Sequence, residues 1–113
     1  VTVDVQRSLA AGRIIQIALP QTIADGAQTL APSALTFGIM RTHLREVLTV
    51  TDAALVEAMK LFATRMKIVV EPTGCLGAAA VLGRQVPIAG KRVGVIAGGG
   101  NVDLAAFARL TGP

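Results

Sequence analysis

The chain has 113 residues and a formal charge of +4, with 16% charged and 52% apolar residues, against about 25% charged in an ordinary soluble domain. Mean hydropathy reaches +0.61, yet the longest uncharged apolar runs, residues 74–83 and 93–100, are far shorter than the roughly 20 residues that span a bilayer, which excludes a membrane protein. The Lys and Arg residues form no block and Phe is the only aromatic type, so nucleic acid finds neither a basic patch nor a stacking platform.

A lone cysteine, Cys75, rules out an internal disulfide and fits a reducing, cytoplasmic setting, and with the lone His43 it cannot build a thiolate–imidazole zinc site. So little charge on a chain this short points to a surface covered by more protein. The absence of an initiator Met or a signal-type segment at Val1 reads the same way, as a piece cut from something longer.

In chain order, residues 1–5 are apolar and β-branched apart from Thr2 and Asp4, which predicts the end of a strand or the turn after it. A short helix over residues 6–11 closes at Gly12. Residues 13–17 form a brief strand candidate. The loop of residues 20–29, PQTIADGAQT, combines an Asp25-Gly26 turn with the buried-looking Ile23 and Ala24, a mixture more common in functional loops than in plain connectors. Ser33 caps a helix to about Arg45, with Phe37, Met40 and Leu44 on one face. Residues 47–50 read as a short strand, and Thr51 or Asp52 caps the clearest helix, to about Lys67, where Leu55, Met59, Phe62 and Met66 repeat as a core stripe.

Residues 68–70 extend the chain to Glu71-Pro72-Thr73-Gly74, which turns into a small-residue helix over 75–82 that ends at Gly83. A surface turn over 87–90 then leads to the stretch that organises the whole, KRVGVIAGGGNVDL. Val93, Val95 and Ile96 predict a buried parallel strand, Gly98, Gly99 and Gly100 a glycine loop, and Asn101 the cap of a helix over 101–109 with Asp103 in its first turn. Strand, glycines and helix start make a place where backbone N–H groups can approach a ligand. The spacing is neither the dinucleotide fingerprint nor a P-loop, and a tight turn with no ligand satisfies it equally.

Three loops, PQTIADG, EPTG and AGGGN, each follow an apolar segment, as ligand-binding loops do at strand carboxyl ends of an open α/β sheet. Their order and spacing resemble the C-terminal part of the pyridoxal-phosphate-dependent serine/threonine dehydratases and serine racemases. The likeness runs through Gln21-Thr22-Ile23-Ala24-Asp25-Gly26, Arg65-Met66-Lys67, Val70-Glu71-Pro72-Thr73-Gly74 and Gly99-Gly100-Asn101-Val102-Asp103-Leu104. It implies an α/β fold, the C-terminal part of a fold type II cofactor domain with an open parallel sheet and flanking helices, and residues 1–113 as one fragment of that larger domain.

The lysine that holds the cofactor and the loop that binds its phosphate are then expected upstream of Val1. Lys60, Lys67 and Lys91 read as helix and strand-edge residues, Lys67 and Lys91 as solvated termini, so with no candidate for the cofactor-holding lysine the fragment alone is expected to be inactive. The implied activity of the parent is dehydration of a β-hydroxy amino acid such as threonine, serine or 3-hydroxyaspartate to a 2-oxo acid and ammonia, with possible racemase activity. The implied partners are an amino acid substrate, the remainder of the parent chain and further copies of it. The rival reading is a non-catalytic module that binds a phosphate or nucleotide at residues 98–101.

Four positions are implied singly. Gly26 matches a glycine beside the cofactor ring, or is a plain turn glycine. Glu71 matches a carboxylate near ring and substrate, or is an acid interacting with a helix dipole. Asp4, with the main-chain carbonyl of Thr2, matches part of a cation site suited to Mg²⁺ or Ca²⁺, or is a surface Asp. Gly98 stands where the resemblance calls for a hydroxyl or thiol on the pyridine nitrogen of the cofactor, so it departs from the pattern.

Overall fold

The structure, a computed structural model, describes residues 3–113, and the chain divides into two units, one of residues 3–22 and 26–49, the other of 23–25 and 50–113. No helix among the described residues is long and apolar enough to cross a membrane.

In the first unit, α1 (Val3–Ala11) occupies part of the stretch expected to end a strand. The cost of two β-branched residues in a helix is only a few tenths of a kcal/mol each, and the helical spacing of Asp4 and Ser8 puts both on the buried face, 1% and 0% exposed. Asp4 Oδ2 accepts from Thr29 Oγ1 at 2.8 Å, and Ser8 Oγ accepts from the Ile15 N–H at 2.9 Å. Those two bonds tie the following loop back onto the helix. Gly12 closes α1 with φ +68°, as expected. Helix α2 (Ala34–His43) packs against α1 and starts as read: Ser33 Oγ accepts from the Thr36 N–H at 3.2 Å. Phe37 is its buried residue, with the Arg41 guanidinium 5.6 Å from the ring centroid.

The second unit is built on α3 (Asp52–Leu61), capped by Thr51, whose hydroxyl accepts from the Ala54 N–H at 3.2 Å. Leu55, Ala58 and Met59 are fully buried and Phe62 nearly so. The helix continues as a π-helical turn over Phe62–Met66 and stops at Lys67, which is left-handed at φ +61°. That wider turn shifts the phase of the stripe, so Met66 leaves the buried face and is 56% exposed. Helices α4 (Leu76–Leu82) and α5 (Leu104–Thr111) both pack on α3. The small residues of α4 do what the sequence predicts: Ala78 and Ala79 are buried, and a Cβ on Gly77 would stand 3.3 Å from Val95 Cγ1.

Three expectations are corrected. No strand forms among the described residues, so residues 13–17, 47–50, 68–70 and 93–96 run without a ladder. Isolated rungs exist, such as the Ile17 N–H to the Leu30 carbonyl and the Glu71 N–H to the Gly99 carbonyl, both 2.9 Å, but a ladder needs several such bonds in succession. The Val93–Ile96 segment, expected to be buried, instead exposes Val93 by 44%, Val95 by 41% and Ile96 by 88%. Helix α5 is capped by Asp103, not Asn101: its Oδ1 accepts from the Ala105 and Ala106 N–H groups at 2.8 and 3.2 Å, while the Val102 N–H bends back to the Gly100 carbonyl at 2.8 Å and holds Asn101 in the loop. Helix α4 ends at Gly83, as read, and the next residue, Arg84, is left-handed at φ +54°.

Candidate functional site

In the second unit two of the three loops meet directly, and Ile23 and Asp25 of the third line the cavity beside them. Glu71 donates its N–H to the Gly99 carbonyl at 2.9 Å, so the turn before α4 and the glycine run before α5 lie against each other. The contact is tight because both sides lack side chains. A Cβ on Gly74 would stand 2.9 Å from the Gly99 carbonyl oxygen and 2.9 Å from Val70 Cγ1, and one on Gly100 would stand 2.7 Å from the Val69 carbonyl oxygen. A Cβ on Gly99 would collide with Glu71 Oε1. Beside this contact opens a cavity of about 240 Å³, lined by Asp25, Glu71, Pro72, Asn101, Asp103 and Leu110 among others.

The carboxylate of Glu71 is partly buried at this cavity, and α4 begins only at Leu76, so Glu71 is not an acid in that helix's first turn. Its charge is felt by Cys75: burial first, and then the Glu71 carboxylate, push this thiol up to about 11. Cys75 is fully buried and stays protonated at neutral pH.

Gly98 differs from its two neighbours. Like theirs, its φ is not in the left-handed region, but a Cβ there would meet only Gly74 Cα, at an ordinary 3.7 Å. Packing within the chain therefore does not require glycine at this position. Gly26 belongs to the first unit, exposed in the 3-10 turn Asp25–Ala27. The first unit also holds Asp4, which is no surface residue: it is 1% exposed, and its Oδ1 has no hydrogen-bond partner among the described residues. The Thr2 carbonyl lies outside the described residues. No cluster of three His, Cys, Asp or Glu suited to a metal occurs among the described residues. Lys60 pairs with Glu57 at 3.2 Å and Lys67 donates to the Thr64 carbonyl at 2.7 Å.

Sequence reasoning missed that Gly74 packs against Gly99 and that Gly100 packs against the Val69 carbonyl. The signal was two glycine-bearing loops, EPTG and GGGN, each read as approaching a ligand when they approach one another.

The signature of the family described as "Pyridoxal-phosphate dependent enzyme" matches residues 2–99. The chain is 52% identical over 107 residues to the L-threo-3-hydroxyaspartate ammonia-lyase of a Pseudomonas species, covering 95% of this chain and 34% of that protein. Among solved structures it is similar to a serine racemase from Dictyostelium discoideum, with TM-score 0.78, 41% identity and coverage of 89% of this chain and 32% of that one. It is also similar to maize serine racemase, with TM-score 0.83, 37% identity and coverage of 94% and 33%. The chain thus spans about a third of the length of the curated relatives it matches.

Proposed function

Because the chain belongs to the family of pyridoxal-phosphate dependent enzymes, we propose that it is the C-terminal part of the cofactor domain of a β-hydroxy amino acid ammonia-lyase acting on 3-hydroxyaspartate, threonine or serine. The observation that carries this reading is the meeting of the EPTG and GGGN loops through Glu71 and Gly99, in a chain half identical to an ammonia-lyase for 3-hydroxyaspartate. The resemblance in loop order to dehydratases and racemases supports an open parallel sheet in the parent. Segments such as Val93–Ile96, apolar and exposed here, would be its strands, covered by further chain or further copies. The rival module that holds a phosphate at residues 98–101 has no comparable support among the relatives. The setting in the cell proposed for the parent is the cytoplasm.

Pyridoxal phosphate, when bound, supplies an electron sink for the carbanion left by loss of an α-proton. The residues in hand fit such a group, because a side chain at Gly98 would meet nothing closer than Gly74 Cα at 3.7 Å and Glu71 lines the neighbouring cavity. Glu71 would orient ring and substrate, Gly98 would border the ring at its nitrogen, and Gly26 would lie beside the ring. The lysine and phosphate loop would come from elsewhere in the parent. The test is the full-length protein with added pyridoxal phosphate: a visible absorption band and ammonia released from 3-hydroxyaspartate, threonine or serine are expected, and phosphate or nucleotide binding with neither would overturn the reading.

Gly98 yields a graded prediction. A water can serve a polar atom almost as well as a direct donor, so turnover survives without a side chain there. Gly98→Ser in the full-length protein is expected to tighten cofactor binding by one neutral hydrogen bond, about 0.5–1.5 kcal/mol, since the backbone and the 3.7 Å clearance admit a Cβ. An unchanged affinity in a folded variant would place Gly98 away from the ring nitrogen.

For the cation, the buried Oδ1 of Asp4, without a partner among the described residues, fits one ligand of an oxygen-preferring ion such as Mg²⁺ or Ca²⁺, since a carboxylate oxygen hidden from water without a partner carries a desolvation cost. Saturating Mg²⁺ or Ca²⁺, at a hundred times its Kd, is expected to stabilise the full-length protein by about 2.7 kcal/mol. In Asp4→Asn, which keeps an acceptor for Thr29, that gain should vanish. The same gain in both proteins would leave Asp4 a structural residue.

A further inference from the structure

We propose that Gly99 is a positioning residue for Glu71: by having no side chain it leaves the Glu71 carboxylate the space beside the glycine run, and so sets where that negative charge stands. The proposal deepens the reading of Glu71 as a site residue and rests on it for its functional consequence.

The glycines of the two loops are glycines for different reasons. A methyl on Gly100 would strike the Val69 carbonyl oxygen at 2.7 Å, and one on Gly74 would strike the Gly99 carbonyl oxygen at 2.9 Å. Both obstacles are backbone, so the loops themselves would have to part. At Gly98 nothing closer than 3.7 Å intervenes. At Gly99 the only atoms in the way belong to the Glu71 side chain: Oε1, which a methyl would overlap, and Cδ at 3.6 Å.

Backbone and side chain of Glu71 therefore answer separately to a change at Gly99. The main chain is pinned by the bond from the Glu71 N–H to the Gly99 carbonyl and by the buried Pro72 that follows. The side chain has rotatable bonds and ends at the cavity. A Cβ on Gly99 would evict the carboxylate and leave the loop contact standing. Gly99 thus sets the position of a charge without touching a ligand, which separates it from Gly98.

The experiment uses the full-length protein as wild type, Gly99→Ala, Glu71→Gln and the double variant. It reads the Kd for pyridoxal phosphate, the pH profile of the bound cofactor's visible absorbance, and the alkaline titration of Cys75 followed by thiolate absorbance. Gly99→Ala is expected to weaken the cofactor about tenfold, the loss of one hydrogen bond to a charged group, and to shift the pH profile as Glu71→Gln does. The double variant should be no worse than either single one, because both remove the same carboxylate from the same place. In both single variants Cys75 should titrate at lower pH than in wild type. Wild-type values for Gly99→Ala on all three readouts, or additive losses in the double variant, would overturn the proposal. If both variants shift Cys75 while Glu71→Gln leaves cofactor affinity and pH profile alone, the positioning stands and the reading of Glu71 as a site residue falls. Should Gly99→Ala fail to fold, Gly99→Ala with Glu71→Ala decides: recovery of the fold shows that the Glu71 side chain was the obstacle, and failure to recover overturns the proposal.

Discussion

Leu55→Ala is expected to cost about 2–5 kcal/mol of stability, read as a lowered denaturation midpoint with an unchanged slope. Leu55 is completely buried in α3, next to the equally buried Ala58 and Met59. Helices α4 and α5 both lean on α3, so the hole left by the missing side chain lies in the element that holds the other two. The carboxylate-bearing turn and the glycine run sit immediately before those helices. The loss should therefore be accompanied by weaker cofactor binding in the full-length protein. A change under about 1 kcal/mol, the size of an ordinary surface substitution or little more, would mean that α3 does not organise this unit.

The second large effect is alkaline. Cys75 ionises at about 11 in the folded chain against an ordinary 9.0, chiefly through burial and then through Glu71. A folded value above the unfolded one means that the unfolded chain gives up this proton first. The thiol's contribution is whole below pH 9, is lost between 9 and 11, and amounts to roughly 2–3 kcal/mol. Unfolding free energies measured from pH 8 upward for wild type and Cys75→Ala should converge by about this much, with the shared titrations of lysine cancelling in the comparison. Parallel curves would show the thiol reachable by water in the folded state.

The helices were legible where local chemistry decides them. Ser33 and Thr51 were read as caps and accept the expected N–H groups, and Gly12 takes the left-handed turn its position calls for. The stripe of Leu55, Met59 and Phe62 is the core it was read as. Strands were the opposite case. A β-branched run such as Val93 to Ile96 announces only that it suits a sheet; whether one forms depends on neighbours that can stand anywhere in a chain, and among the described residues none pairs with it. At the helix before the chain's end, two capping residues competed within three positions, and Asp103 prevailed over Asn101 because its carboxylate reaches two N–H groups at once.

The candidate site was half legible for a related reason. Glu71 and Gly98 stood out through a resemblance of motifs, and the structure sets their loops side by side. That a glycine matters for what it leaves room for inside the chain, as Gly99 does for Glu71, is invisible until the partner loop is in place. Asp4 was read as part of a cation site or as a surface residue, and its burial was not legible because it follows from the turn of α1 that pairs it with Ser8.

The π-helical turn at Phe62–Met66 bears on how this chain can change in length. A wide turn holds one residue more than an α-helical turn of the same reach. Deleting one residue there would let the backbone close to ordinary helical register, and the buried face of α3, lying wholly upstream, would keep its alignment. The same deletion inside Asp52–Leu61 would rotate each later side chain by about 100° around the axis and carry Met59 or Leu55 out of the core. Insertions and deletions in this half of the chain are therefore expected to collect at 62–66, a stretch that serves as an expansion joint between a helix of fixed phase and the loop that carries Glu71.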